Sequence, residues 1–213
     1  MSDPTHHLWS RRRHLALWTS LALAGVASGV RATTPPPRAQ ADDESAFWAA
    51  AREGGVIFVM RHALTDPGIG DPPGFRLEVC STQRNLSAEG RTAAAALGRR
   101  FREASVRLDA VYSSAWCRCT DTARLAFDPH YPAHTVWPDL NSFFQGQGDA
   151  QRQTQAVLQR VQAVRAPSNW MLVTHQVNIT ALTGAFTQMG EVLATVPDPG
   201  QPGRLRVLGR LRS

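Results

Sequence analysis

Lysine is missing from this sequence: all 23 basic residues are arginine, set against 17 acidic ones, for a formal net charge of +6. The arginines are scattered rather than striped along one face, which argues against a nucleic-acid surface and for a bias in codon usage. Long apolar runs are also missing, so no segment has the length of a confident bilayer span. Cysteine is scarce, with Cys80, Cys117 and Cys119 the only three. No further cysteine or histidine lies near the Cys117-x-Cys119 pair in sequence, which leaves a zinc reading unsupported. Cysteine-nucleophile phosphatases of the Cys-x5-Arg type are disfavoured too, because Leu86 and Ala123 stand where the arginine would be.

What is present begins with an address. Ser10-Arg11-Arg12-Arg13-His14-Leu15, an apolar segment from Leu15 to Ala27, and Val30-Arg31-Ala32 read as a twin-arginine-like signal peptide over residues 1–32. Arg11, Arg12, Arg13 and Arg31, offset by Asp3, lie there, so +3 of the net charge belongs to this segment. The expected location is periplasmic or secreted, with no stable membrane span once the signal is removed. Residues 33–41, stiffened by Pro35-Pro36-Pro37, read as a linker, and residues 42–213 as one domain.

Within that domain, residues 41–53 carry acidic residues first and Phe47/Trp48 later, as a short helix would, and Gly54-Gly55 stops it. Val56–Met60 is a continuous apolar run suited to a strand buried on both faces. Residues 63–85 are too rich in glycine and proline to be regular, and a loop of that length is usually functional. Ser87 reads as the N-cap of a helix over residues 88–103. Strands are expected at 109–112, 134–137, 170–174, 191–196 and 204–211, and helices after Ser114, at 149–165 and at 177–189. This alternation predicts an α/β fold, three layers α/β/α, with a mostly parallel central sheet.

Two of the four histidines in residues 33–213, His62 and His175, follow directly on the two most apolar strands. Arg61 adjoins the first, and a third strand leads to Arg118 at the start of a helix. Parallel strands bring such ends to one edge, where ligands bind. Two arginines, two histidines and a helix N-terminus there would hold a dianion.

These residues resemble the histidine phosphatase, or phosphoglycerate-mutase-like, superfamily. The resemblance rests on Met60-Arg61-His62-Ala63-Leu64-Thr65, on Leu86-Ser87-Ala88-Glu89-Gly90, on Ser113-Ser114 through Arg118 and Thr122-Ala123, and on Val173-Thr174-His175. It spans roughly residues 54–187, in the family's order. It implies an exported phosphoric monoester hydrolase, similar to the histidine acid phosphatases, acting on a small or sugar phosphate. His62 would be the nucleophile that forms phosphohistidine, and Arg61, Arg118 and His175 would hold the phosphoryl oxygens. Neither metal nor cofactor is implied. Arg84, Asn85 and Gln176 are further candidates for substrate binding.

The chain departs from the family at Ala63, where glycine is usual, and in its proton donor. Neither Leu140-Asn141-Ser142 nor Gln176 supplies the carboxylate used in the family's two branches. Asp66 is the nearest carboxylate in sequence and stands as the candidate acid, with a turn-forming role before Pro67 as its alternative. Three cysteines permit one disulfide, and Cys80–Cys117 is the pair expected, since neighbours two apart on a helix diverge. The missing acid supports one alternative of another class, a non-catalytic phosphate- or phospho-ligand-binding protein of the same fold.

Overall fold

The computed structural model describes residues 37–128 and 130–212. The expected signal peptide and the first part of the linker lie outside the described residues. Helix α1 (Pro37–Glu53) starts within the segment assigned to the linker, ahead of the expected start at Ala41. Proline is well suited to a first helical turn, where its missing N–H has no intrahelical partner to lose. Gly54 and Gly55, at φ +80° and +78°, end the helix.

Strand β1 (Ile57–Arg61) lies inside the sheet, and its side chains alternate between two cores. Phe58 and Met60 join Phe47 of α1 on one face, together with Phe101 of α2 (Ala88–Glu103) and Phe127 at the end of α3 (Cys117–Ala126). The rings of Phe47, Phe58 and Phe101 meet with centroids 5.2–5.9 Å apart. Ile57 and Val59 face the other way, toward Val157, Leu158 and Val161 of α4 (Ala150–Val161) and Ile179 and Leu182 of α5 (Gln176–Thr183). A sheet with apolar residues on both faces requires a helical layer on each, and the expected three-layer α/β/α class follows.

The remaining strands are β2 (Ala110–Ser113), β3 (Thr135–Val136), β4 (Trp170–Thr174), β5 (Val192–Pro197) and β6 (Leu205–Leu211). The sheet order is β3-β2-β4-β1-β5-β6, with the first four strands mutually parallel and β5 and β6 antiparallel additions. Ser87 caps α2 as expected, its Oγ accepting from the Gly90 N–H at 3.1 Å. The α2–α3 contact depends on Gly98: a Cβ there would stand 1.8 Å from the Ala126 carbonyl oxygen.

Two helices end earlier than the sequence pattern suggests. α4 stops at Val161 instead of continuing to Arg165, and the chain leaves it through tighter turns in which the Ala163 and Val164 N–H groups bond the Arg160 and Val161 carbonyls at 3.3 and 3.1 Å. α5 stops at Thr183 instead of Met189, where Gly184 adopts a left-handed conformation (φ +73°) and its N–H closes on the Thr180 carbonyl at 2.8 Å. Among the described residues, no helix is long and apolar enough to cross a membrane.

Candidate active site

Register places the two histidines. Arg61 of β1 pairs with Thr174 of β4, so the next residues, His62 and His175, leave adjacent parallel strands side by side. Their rings meet edge to face, with centroids 5.6 Å apart. The β2–β4 pairing brings Ser113-Ser114 to the same edge, and the chain then turns through Trp116 into α3 with Arg118 in its first turn. Arg61, His62, Arg84, Arg118, His175 and Gln176 line one cleft of about 290 Å³. His62 and His175 are buried at its floor.

The His62 ring is held in one useful state. Its Nδ1 lies 2.9 Å from the Ala63 carbonyl oxygen, which can only accept, so Nδ1 carries the proton and Nε2 keeps its lone pair. Thr122 Oγ1 accepts from the Ala63 N–H at 3.0 Å and fixes the backbone that carries this carbonyl. Burial, followed by the charges of Arg118, Arg61 and Arg84, drives the His62 pKa down to about 3 despite the opposing bond to Ala63. His175 is pushed well below 6.5, first by burial and then by His62 and the same arginines. Its Nε2 sits 2.8 Å from Ser114 Oγ, which in turn donates toward Asn141 Oδ1 at 3.2 Å. Both rings are therefore neutral at ordinary pH.

Beside Arg61 and Arg118 the fold places Arg84, one of the candidates for substrate binding. Arg84 donates through Nε to the Gly70 carbonyl at 2.9 Å and through Nη1 to Thr65 Oγ1. Burial and the surrounding guanidiniums lower the pKa of both Arg61 and Arg84, a sign of positive charge confined without full compensation. Arg61 Nε and Arg118 Nε are buried without a partner among the described residues. These are the donors that an oxyanion would satisfy. The helix-start N–H groups contribute less than expected, because Gln83 Oε1 accepts from the Cys117 N–H at 2.9 Å.

Two candidates are placed elsewhere. Asp66 is exposed and does not line the cleft; its N–H bonds the Asn85 carbonyl at 3.1 Å in a short pairing of the loop with the segment before α2. Asn85 is likewise outside the cleft, its amide donating to the Cys80 and Gln83 carbonyls at 2.7 and 3.1 Å to brace the loop. Gln176 does line the cleft, but its amide is taken up by Thr180, Ala185 and Thr187.

The carboxylate that the sequence reading missed is Asp71. Its Oδ1 accepts from Arg118 Nη1 at 2.7 Å and from the Arg84 N–H at 3.0 Å, and its Oδ2 from Arg118 Nη2 at 3.2 Å and Trp116 Nε1 at 2.9 Å. Those bonds hold its carboxyl below the usual range, against the opposing effect of burial. Nothing in the sequence separates it from Asp66, since both are aspartates before proline in the same loop. The Cys80–Cys117 disulfide is formed as expected and fastens this loop to the start of α3. Cys119 remains a buried thiol 3.5 Å from His175 Nε2, pushed by burial to about 12.

The neutral state of His62 has a consequence for stability. An unfolded chain takes up a proton on this ring near 6.5, whereas the folded site refuses it until about 3. The unfolded state therefore binds more protons between those limits, and stability falls as pH falls through the window. The contribution is full above 6.5 and declines by at most about 1.4 kcal/mol per pH unit below it. Thermal melts of His62→Gln beside wild type should show a flatter decline on acidification; parallel curves would contradict a neutral His62.

Residues 57–148 match the histidine phosphatase superfamily (branch 1). Among solved structures, the protein histidine phosphatase SixA complexed with tungstate shares the fold at a TM-score of 0.54 and 14% identity, covering 73% of this chain and 96% of that one. The phosphoserine phosphatase of Entamoeba histolytica, in complex with 3-phosphoglyceric acid, gives 0.52 and 11% over 74% and 97%. Bacillus stearothermophilus YhfR gives 0.51 and 16% over 71% and 94%. No curated protein is a significant match. With its motifs gathered at one sheet edge and its fold shared, the chain resembles the histidine phosphatase superfamily, matched over residues 57–148.

Proposed function

We propose that the protein is an exported phosphomonoester hydrolase that cleaves a small or sugar phosphate through a phosphohistidine on His62, without a metal. One observation carries this reading: the Nδ1–Ala63 bond leaves His62 Nε2 with a free lone pair in a cleft lined by Arg61, Arg84 and Arg118. A neutral imidazole with a fixed tautomer is a competent nucleophile at neutral pH.

In the first step Nε2 attacks phosphorus, the P–O bond to the leaving group breaks, and the electron pair departs on oxygen. The proton stays on Nδ1, which donates to the Ala63 carbonyl. The guanidiniums stabilise the charge spread over the equatorial oxygens, which is where phosphoryl transfer needs help. Water then attacks phosphorus, the P–N bond breaks with its electron pair returning to Nε2, and inorganic phosphate leaves; the proton that the attacking water sheds to solvent balances the one the leaving oxygen takes up from it. Export is supported by the twin-arginine-like N-terminus and fits the disulfide, which persists in oxidising compartments.

Quenching the protein during turnover of an aryl phosphate should trap an acid-labile, base-stable phosphoryl group on a peptide containing His62, and EDTA should leave phosphate release unchanged. An EDTA-sensitive rate with no trapped group would overturn the mechanism. The alternative, a phosphate-binding protein without catalysis, draws on the commitment of Asp71 to Arg118; saturable phosphate binding with no turnover would favour it.

A further inference from the structure

We propose that the cleft mouth receives a flat, apolar leaving group, so that esters of phenols are the preferred substrates; this rests on the phosphatase reading and narrows it. The floor of the cleft is polar, and its rim sets two large apolar side chains beside the amides of Gln145 and Gln147. Ile69 and Phe144 are two of the five large apolar side chains exposed on the described surface, at 88% and 41%, and both line this cleft. They come from segments more than seventy residues apart in sequence that meet across the opening. A Cβ on Gly70 would lie 3.9 Å from the Phe144 ring and 3.2 Å from Gln145 Oε1, so glycine at position 70 lets the two rims close on each other. Gln145 holds a left-handed backbone (φ +55°) to turn this rim, a conformation that non-glycine residues keep only where the surroundings impose it. Val177 and Met189 continue the apolar lining inward.

Exposed apolar side chains scattered singly need no explanation, but two lining one cleft above a buried anion site do. The Gln176 amide, bonded within the protein, is closed to sugar hydroxyls. Chemistry points the same way. Among the described residues lining the cleft, Asp71 is the only carboxylate, and both its oxygens accept from Arg118 and neighbouring N–H groups. No carboxylic acid is therefore available to protonate a departing alkoxide. A phenolate leaves without that proton, carrying the electron pair of the broken P–O bond and taking its proton later from water. An aromatic ring thus meets both the acid-free site and the apolar side chains at its mouth.

The test uses the full chain and three substrates: 1-naphthyl phosphate, acetyl phosphate, which has a good leaving group but no ring, and glucose 6-phosphate. Wild type should prefer naphthyl phosphate to glucose 6-phosphate. In an Ile69→Ser, Phe144→Ser double variant, the ratio of kcat/KM for naphthyl over acetyl phosphate should fall about tenfold, the usual scale for lost apolar contacts. Because Ile69 is almost fully exposed, Ile69→Ser alone provides a version in which folding is not in question. An unchanged ratio with both substrates hydrolysed, or glucose 6-phosphate matching naphthyl phosphate, overturns the inference and leaves the phosphatase reading intact. Absence of any His62-dependent hydrolysis of acetyl phosphate defeats the phosphatase reading, and the inference with it.

Discussion

A His62→Ala protein is expected to hydrolyse an aryl phosphate about a thousandfold or more slowly than wild type, the scale on which nucleophile removal acts. The loss should appear in kcat, because phosphate affinity resides mainly in the guanidiniums. His62 lies at the floor of the cleft beyond the end of β1, and its ring makes one side-chain hydrogen bond, to its own neighbour's carbonyl. Truncation therefore removes a reacting atom while leaving the Arg118–Asp71 pair and the sheet register in place. Steady-state kinetics on the purified variant, with phosphate binding followed by calorimetry, check both halves of the statement. A variant that still turned over at a tenth of the wild-type rate would remove His62 from the mechanism.

Arg118→Ala should have two separable effects. Activity should drop about a hundred- to a thousandfold, as when one preorganised donor to a developing oxyanion is removed. Stability should drop as well, by about 3–5 kcal/mol, because the Asp71 carboxylate would stay buried with its guanidinium gone. The side chains of the pair are only 5% and 4% exposed, so water would compensate poorly. Adding Asp71→Asn removes the stranded charge, and the double variant should recover most of the stability and little of the activity. Chemical denaturation of wild type, both single variants and the double variant forms a cycle that isolates the coupling. If Asp71→Asn restored activity too, the loss in Arg118→Ala would be one of loop position rather than of charge.

The parts of the site carried by regular structure were legible in the sequence. His62 and His175 stand immediately after apolar strands, and Arg118 follows a strand-to-helix turn with a polar start; periodicity and one topological rule suffice to bring them together. Arg84, in the loop just before α2, was correctly grouped with them. What escaped were choices made within loops, where no periodicity constrains a side chain. Asp66 and Asp71 both precede proline, and only the folded loop shows that one faces solvent and the other closes on Arg118. Asn85 has the chemistry of a phosphate ligand, yet backbone carbonyls of its own loop reach it first. That Ile69 and Phe144 line one cleft could not be read from sequence, because it depends on how closely Gly70 lets two loops approach. The early end of α5 has a local cause, since Gly184 follows an apolar pattern that would otherwise run on as helix.

The Cys80–Cys117 bridge ties assembly of the cleft to oxidation. It closes a loop between residues 37 positions apart, and such a link disfavours the unfolded chain by roughly 4 kcal/mol in the loop-entropy account. Its two ends are the loop that presents Asp71 and Arg84 and the first residue of the helix that presents Arg118. Before oxidation, three of the cleft's four charged side chains rest on segments that are not yet fastened together. A newly made chain in a reducing cytosol would be a poor consumer of the phosphate esters dissolved around it. If the chain is exported as proposed, the cross-link would work as a maturation step, arming the cleft only in an oxidising compartment.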